Sequence, residues 1–311
     1  MTDPYVVLHG GFHKTATSHI QSILARNSKM LARKGAHYVH HRDTRKQLTV
    51  PTQFNTYVKL GMDWDPVITD AELAEITGDF FRNLDVEPGA RLILSDENMA
   101  GHCGHCVKRG LLYRWHPKIL KAFAFQFPWR IRELHLGVRN YADFFASAYV
   151  EYLRSVSSKS IIDEPKMRLQ VMQNTPSWHK VLTSMIASFP DAKITVWKYE
   201  DFRKIDKLVL ANLCGPTVDV GKLKQPKDKN KRPTASGKAV SELLKLIHQE
   251  GPEYALEHRL GLQEQYPRGP LYGSYDPWTQ QERTHLTRLY ERDIEGIRND
   301  PSIELLSSEY A

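Results

Sequence analysis

The chain has 311 residues, enough to bury a substantial core in one large domain or two small ones. With 25% charged, 41% hydrophobic and 10% aromatic residues, its composition is that of an ordinary soluble globular protein, for which disorder is not the default. Forty-three basic against 36 acidic residues leave a formal charge of +7, which suits anionic ligands (nucleotides, acidic glycans, nucleic acid or a membrane face) without choosing among them.

No basic segment followed by an apolar stretch opens the sequence, so no leader is expected. No run of about 18 apolar residues suggests a membrane span. Three cysteines make a disulfide framework a poor reading and point to a reducing, cytoplasmic setting.

Taken in chain order, Tyr5 to Leu8 reads as a short buried parallel strand. Ile20, Ile23, Leu24 and Leu31 then recur at helical spacing from Thr17 until Gly35 stops the helix. Residues 39 to 70 are polar and aromatic without clean periodicity and contain the basic cluster HHRDTRK, as an insertion over an acceptor site would. Helical character returns between Ala71 and Leu84. Arg91 to Ser95 reads as a second strand, with DENMAGHCGHC after it as a loop. Trp115 to Phe127 is a helix and Glu133 to Val138 a third strand. A helix with a wide stripe of Tyr141, Phe144, Phe145, Ala148, Tyr149 and Tyr152 comes next. A helix over Trp178 to Phe189, a fourth strand over Ile194 to Trp197 and a helix near Asp206 to Leu213 follow. The lysine-rich GKLKQPKDKNKRPTASGK reads as an exposed loop, and two helices near 236 to 250 and 279 to 298 close a helical C-terminal part, 234 to 311. Alternating strands and helices predict one α/β domain over 1–311, a P-loop-like three-layer α/β/α arrangement around a mainly parallel sheet.

The stretch VVLHGGFHKTATSHIQSIL, 6 to 24, carries the chemistry. Glycines after a strand let the backbone turn sharply, and the amides at the next helix's N-terminus then face an anion. Lys14 adds a point charge, and Thr15, Thr17 and Ser18 add hydroxyl donors. His13 stands where a nucleoside-triphosphate loop has its second glycine, and Leu8 takes the place of the first. GGFHKTATSHIQSIL resembles the 5′-phosphosulfate loop of sulfotransferases, especially bacterial and carbohydrate-type members, in which glycine and threonine are common where this chain has Ala16 and Ser18. The resemblance implies 3′-phosphoadenosine 5′-phosphosulfate as donor, 3′-phosphoadenosine 5′-phosphate as product, and a loop of Gly11, Phe12, His13, Lys14, Thr15, Ala16, Thr17 and Ser18 around the 5′-phosphate. Lys14 would contact the bridging oxygen, and no metal is required.

A 3′-phosphate needs a second anion site. In LGVRNYADFFASAYVEYLR, 136 to 154, Arg139 ends a strand and Ser147 follows eight residues later in a helix. That spacing resembles the family's 3′-phosphate motif. WKYEDF, 197 to 202, resembles a strand-end sequence of the same family, with Glu200 and Asp201 read as structural. A late basic loop in the family implies that Lys231 and Arg232 reach the 3′-phosphate.

Transfer to a hydroxyl needs a base near a strand end. Glu97 in LILSDENMAG is the first candidate, with Asp96 beside it and His13 as a rival; His102 and His105 rank lower. Cys103 and Cys106 have half of a zinc pattern and lack a second pair. The expected function is sulfuryl transfer to an acidic or sugar-containing acceptor, a glycan or glycolipid, contacted by the basic cluster and by Tyr57 and Trp64. A kinase-like phosphotransferase and a non-catalytic nucleotide- or anion-binding protein are the alternatives. No nucleic-acid signature is present.

Overall fold

The computed structural model describes residues 3–10, 12–226 and 234–307. The first strand, β1 (Tyr5–His9), is followed by α1 (Thr17–Ala32), whose Ile20, Ile23, Leu24 and Leu31 are buried. Gly35, at φ 78°, turns the chain through a left-handed position into β2 (Ala36–Tyr38). Then α2 (His41–Thr44), a π-helix (Arg45–Thr49) and α3 (Val50–Lys59) run on without a break. A capping box between Thr69 and Glu72 starts α4 (Asp70–Arg82). After β3 (Arg91–Ser95) come α5 (Cys103–Arg109) and α6 (His116–Ala124). After β4 (Ile131–Val138) come α7 (Tyr141–Ser155), α8 (Glu164–Gln173) and α9 (Trp178–Ser188). The described chain ends with β5 (Lys193–Lys198), α10 (Phe202–Cys214), α11 (Gly237–Glu250), α12 (Pro252–Gln265), α13 (Gln280–Asn299) and β6 (Ile303–Leu306).

The strands form one six-stranded, all-parallel sheet in the order β2-β3-β1-β4-β5-β6. Both faces are covered, which is why the central strands read as nearly continuous apolar runs. Val7, Ile93 and Trp197 face one core with α1 and α10. Val6, Leu8, Leu92, Leu94, Leu136 and Val196 face the other, built on the aromatic stripe of α7 with Trp178. The expected three-layer α/β/α arrangement is what forms. The chain winds one way from β1 to β2 and the other way from β4 onward, so the topological switch point lies between β1 and β4, and it is at the C-terminal ends of such strands that doubly wound sheets bind their ligands.

Four local expectations are corrected. The segment 39–70 is largely helical, and its inward face is polar: Thr44, Thr49, Thr52, Gln53, Asn55 and Thr56 are buried with Leu48 and Tyr57. The Thr52 and Thr56 hydroxyls donate to carbonyls four residues back, both at 2.7 Å, so hydropathy shows no stripe. The sequence after β3 is not all loop, since His102 caps α5 through the Gly104 amide at 3.1 Å and left-handed Gly110 ends it. The C-terminal part holds three helices and a strand, not two helices. Finally, β2 and β6, at three and four residues, are too short to announce themselves.

A polar row crosses the α1 side of the sheet. His9 is register partner of both Ser95 and His135, and all three are at most 1% exposed. Burial lowers the His9 pKa to about 3, with the neighbouring His135 adding to the effect. In the unfolded chain the same ring titrates near about 6.5. Stability from neutral His9 is therefore fully present above that value and is lost as pH falls toward 3, because the unfolded chain takes up a proton that the fold refuses. Each such histidine steepens the loss by about 1.4 kcal/mol per pH unit. Urea midpoints should fall from about pH 7 to about pH 5, before most carboxylates titrate; a flat profile there would contradict a buried neutral His9.

Candidate functional site

The loop between β1 and α1 is built from two left-handed residues, Lys14 at φ 65° and Ala16 at φ 69°, on either side of Thr15. Alternation of this kind turns successive amides toward one concavity. A left-handed non-glycine residue costs about 1–2 kcal/mol, so both positions carry backbone strain. The Thr15 hydroxyl donates to the Phe12 carbonyl at 2.5 Å and the Thr17 hydroxyl to the same oxygen at 3.3 Å. Both hydroxyls thus tighten the loop. Ser18 is exposed at its rim. Among the described residues the N-cap, Ala16, gives α1 no side-chain cap and no carboxylate lies in its first turn, which favours an anion at the helix N-terminus.

Phe12 has no exposed surface and stacks on Trp178 and Tyr113, with centroids at 4.6 and 5.4 Å, so its side chain anchors the loop. His13 is held at both ring nitrogens, Nδ1 at 3.0 Å from the Tyr113 hydroxyl and Nε2 at 3.2 Å from Asn98 Oδ1. Burial lowers its pKa to about 4, against the pull of Glu97. The ring is neutral and fully engaged. Lys14 Nζ reaches Glu151 Oε2 on α7 at 3.4 Å, and Arg154 shares that carboxylate.

Arg139, one residue past β4, donates Nη1 to the Lys14 carbonyl at 2.9 Å and lies over the Tyr199 ring at 4.4 Å. Its own carbonyl accepts from Trp178 Nε1 at 2.8 Å, and its Nε is buried without a partner. The two basic motifs therefore meet. Gly137 makes the approach possible, since a Cβ there would stand 3.0 Å from the Thr15 Cβ and from Trp197 Nε1. Ser147 sits half-buried on α7. Gly11, Lys231 and Arg232 lie outside the described residues.

No protein-family model matches the chain, and no curated protein matches it.

At the end of β3, Asp96 is fully buried and Glu97 partly so, and Arg45 of the π-helix reaches both. Arg45 Nη2 stands 2.8 Å from Asp96 Oδ1 and 2.6 Å from Glu97 Oε1. Gln21 of α1 donates to Glu97 Oε2 at 3.1 Å. Burial pushes the Glu97 carboxyl up, but the Arg45 charge, with the Gln21 hydrogen bond, outweighs it and holds the group below the ordinary range. Glu97 is thus ionised and aimed. Arg45, Gln21 and Glu151 are the site residues that motif reading did not find. A π-helix has no sequence signature, and Glu151 lies in a helix whose apolar stripe drew the attention.

The remaining candidates are placed as follows. Glu200 accepts from the Asn140 amide at 2.9 Å and from the Tyr290 hydroxyl at 2.8 Å, and Asp201 pairs with Lys198 at 2.8 Å. Both serve the scaffold. Tyr57 is a core residue, at 4.6 Å from the Trp64 ring and accepting the His102 amide, so it offers no face to an acceptor. Half-buried Trp64 sits at the edge of this aromatic cluster with His105. Cys103 and Cys106 are free, buried thiols, and burial pushes Cys106 up to about 12. Among the described residues no group of three or more His, Cys, Asp or Glu could hold a metal ion, and no helix is long and apolar enough to cross a membrane.

Proposed function

We propose that the protein is a sulfotransferase that moves a sulfuryl group from 3′-phosphoadenosine 5′-phosphosulfate to an acceptor hydroxyl, with a glycan or glycolipid as the acceptor class. The observation that carries the reading is the junction of Arg139 with the Lys14 loop. Two cationic elements 125 residues apart meet at the C-terminal ends of β1 and β4, as a donor with separate 5′ and 3′ anions requires. The 5′-phosphate would rest on the loop amides. Arg139 and Ser147 would take the 3′-phosphate, as the family resemblance implies.

In the reaction the acceptor oxygen forms a bond to sulfur as the bond from sulfur to the phosphate oxygen breaks in line. The departing electron pair stays on that oxygen, where the Lys14 ammonium stabilises it more than it stabilises the ground state. Glu97 takes the acceptor proton. Asp96 argues against the phosphotransferase alternative. It ends the strand beside β1, where a magnesium-holding carboxylate would be needed, and it is buried against Arg45 and Asn98.

Calorimetry tests the donor assignment. 3′-Phosphoadenosine 5′-phosphate should bind far more tightly than AMP. Arg139→Ala should weaken it roughly 10- to 100-fold, the value of a charged hydrogen bond, with a smaller loss for Ser147→Ala. Equal affinity for AMP would remove the 3′-phosphate site.

A further inference from the structure

The carboxylate assigned as the base does not stand alone. Asp96 Oδ1 receives Arg45 Nε at 3.1 Å, Arg45 Nη2 at 2.8 Å, the Asn98 amide at 3.2 Å and Asn98 Nδ2 at 2.9 Å. Its other oxygen, Oδ2, is buried and has no partner. The same Arg45 Nη2 holds Glu97 Oε1. Two carboxylates and one guanidinium sum to a single negative charge.

We propose that Asp96, Glu97 and Arg45 act as one proton-accepting unit, in which the two carboxylates share a guanidinium and Arg45 is a positioning residue. The proposal rests on the sulfotransferase reading and deepens it. A carboxylate paired with its own arginine is a weak base. Here the second carboxylate raises the proton affinity of the pair as a whole, with Asp96 the higher half: once one proton has entered, the remaining carboxylate keeps Arg45 to itself and the unit becomes neutral. The acceptor's O–H proton enters the unit at Glu97, the more exposed carboxylate, as the oxygen–sulfur bond forms; the pair holds it until the product leaves and then releases it to solvent, so the unit returns to a single negative charge.

The surroundings leave this balance to Arg45. His13 of the loop, His9 of β1 and His41 of α2 are neutral, with pKa values lowered to about 4, 3 and 4, burial being the main cause in each. Tyr38 of β2, Tyr113 before α6 and Cys103 of α5 are pushed up by burial and stay protonated. Lys14 and Glu151 form their own ion pair beyond His13. Burial and the charge of Glu97 hold Asp96 above the ordinary range, while Glu97 stays below it. A shared site with unequal halves has these two directions.

The test is the acid limb of the pH profile of kcat/KM, read in the full chain as release of 3′-phosphoadenosine 5′-phosphate with a saccharide acceptor. Arg45→Gln should move the limb up by about one to three pH units, and Arg45→Lys should restore most of the shift. Asp96→Asn should move it the opposite way and slow turnover at neutral pH, because Arg45 then serves Glu97 alone. Unchanged affinity for 3′-phosphoadenosine 5′-phosphate certifies that each variant is folded. Limbs that coincide with the wild type in both Arg45→Gln and Asp96→Asn overturn the shared unit. Carbon-13 titration of labelled carboxyls gives a readout without turnover. Two linked steps that become one in Asp96→Asn support the unit, and independent titrations overturn it. A wild type with linked steps and no sulfated product would instead remove the sulfotransferase reading.

Discussion

Lys14→Ala is expected, under the proposed sulfotransferase activity, to lower the rate of sulfuryl transfer on the order of 10²–10³-fold, the loss found when one donor to a developing oxyanion is removed. The loop should survive the change. Alanine at φ 65° carries the same left-handed strain as lysine, and the Arg139 bond goes to the Lys14 carbonyl, which every residue supplies. Affinity for 3′-phosphoadenosine 5′-phosphate should fall much less than the rate if, as proposed, the ammonium meets charge that develops only as the bond breaks. Single-turnover rates beside nucleotide affinities separate the two effects. A loss confined to affinity, with the chemical step untouched, would make Lys14 a ground-state anchor.

Arg91→Ala is the substitution with the largest expected cost to stability. Arg91, 7% exposed, donates Nη1 to Glu133 Oε1 at 2.6 Å, Nε to the Leu213 carbonyl at 2.9 Å and Nη2 to the Asn212 carbonyl at 2.7 Å. It ties β3 to β4 and to the end of α10. Removing the guanidinium leaves two carbonyls without this donor and the partly buried Glu133 carboxylate with His135 Nε2, at 2.9 Å, as its remaining partner, for a loss of about 3 kcal/mol. The lower end of the usual range applies because the Glu133 side chain keeps 23% of its surface in solvent. A double variant, Arg91→Met with Glu133→Gln, should recover part of the loss by removing the stranded charge. Chemical denaturation at constant m-value measures both, and an Arg91→Ala loss below about 1 kcal/mol would show that the carbonyls and Glu133 find other partners.

These expectations draw on features of different legibility. The strand runs RLILS and ELHLGV, the helical spacing of α1 and the aromatic stripe of α7 lie within a few residues of one another, so local periodicity discloses them. The segment 39–70 was not legible, because threonines and amides bonded to their own helix cover its inward face and no apolar stripe remains. Weak amphipathicity hid α8 and α12, which bury only Met167 and Val171 in one case and Ala255 and Leu256 in the other.

The sequence by itself determined the α/β alternation, the turn of the Lys14 loop into α1, and the position of Arg139 at a strand end. Each is set by side chains adjacent along the chain. Only the tertiary structure decided that Arg139 props the Lys14 loop, that Lys14 faces Glu151, and that Arg45 lies between Asp96 and Glu97. Those pairs are separated by 125, 137 and 51 residues or their near neighbours. Their meeting depends on strand order: β1 lies between β3 and β4, so loop, carboxylates and arginine share one end of the sheet. Strand order is fixed by long-range burial on both faces, which short-range pattern does not encode.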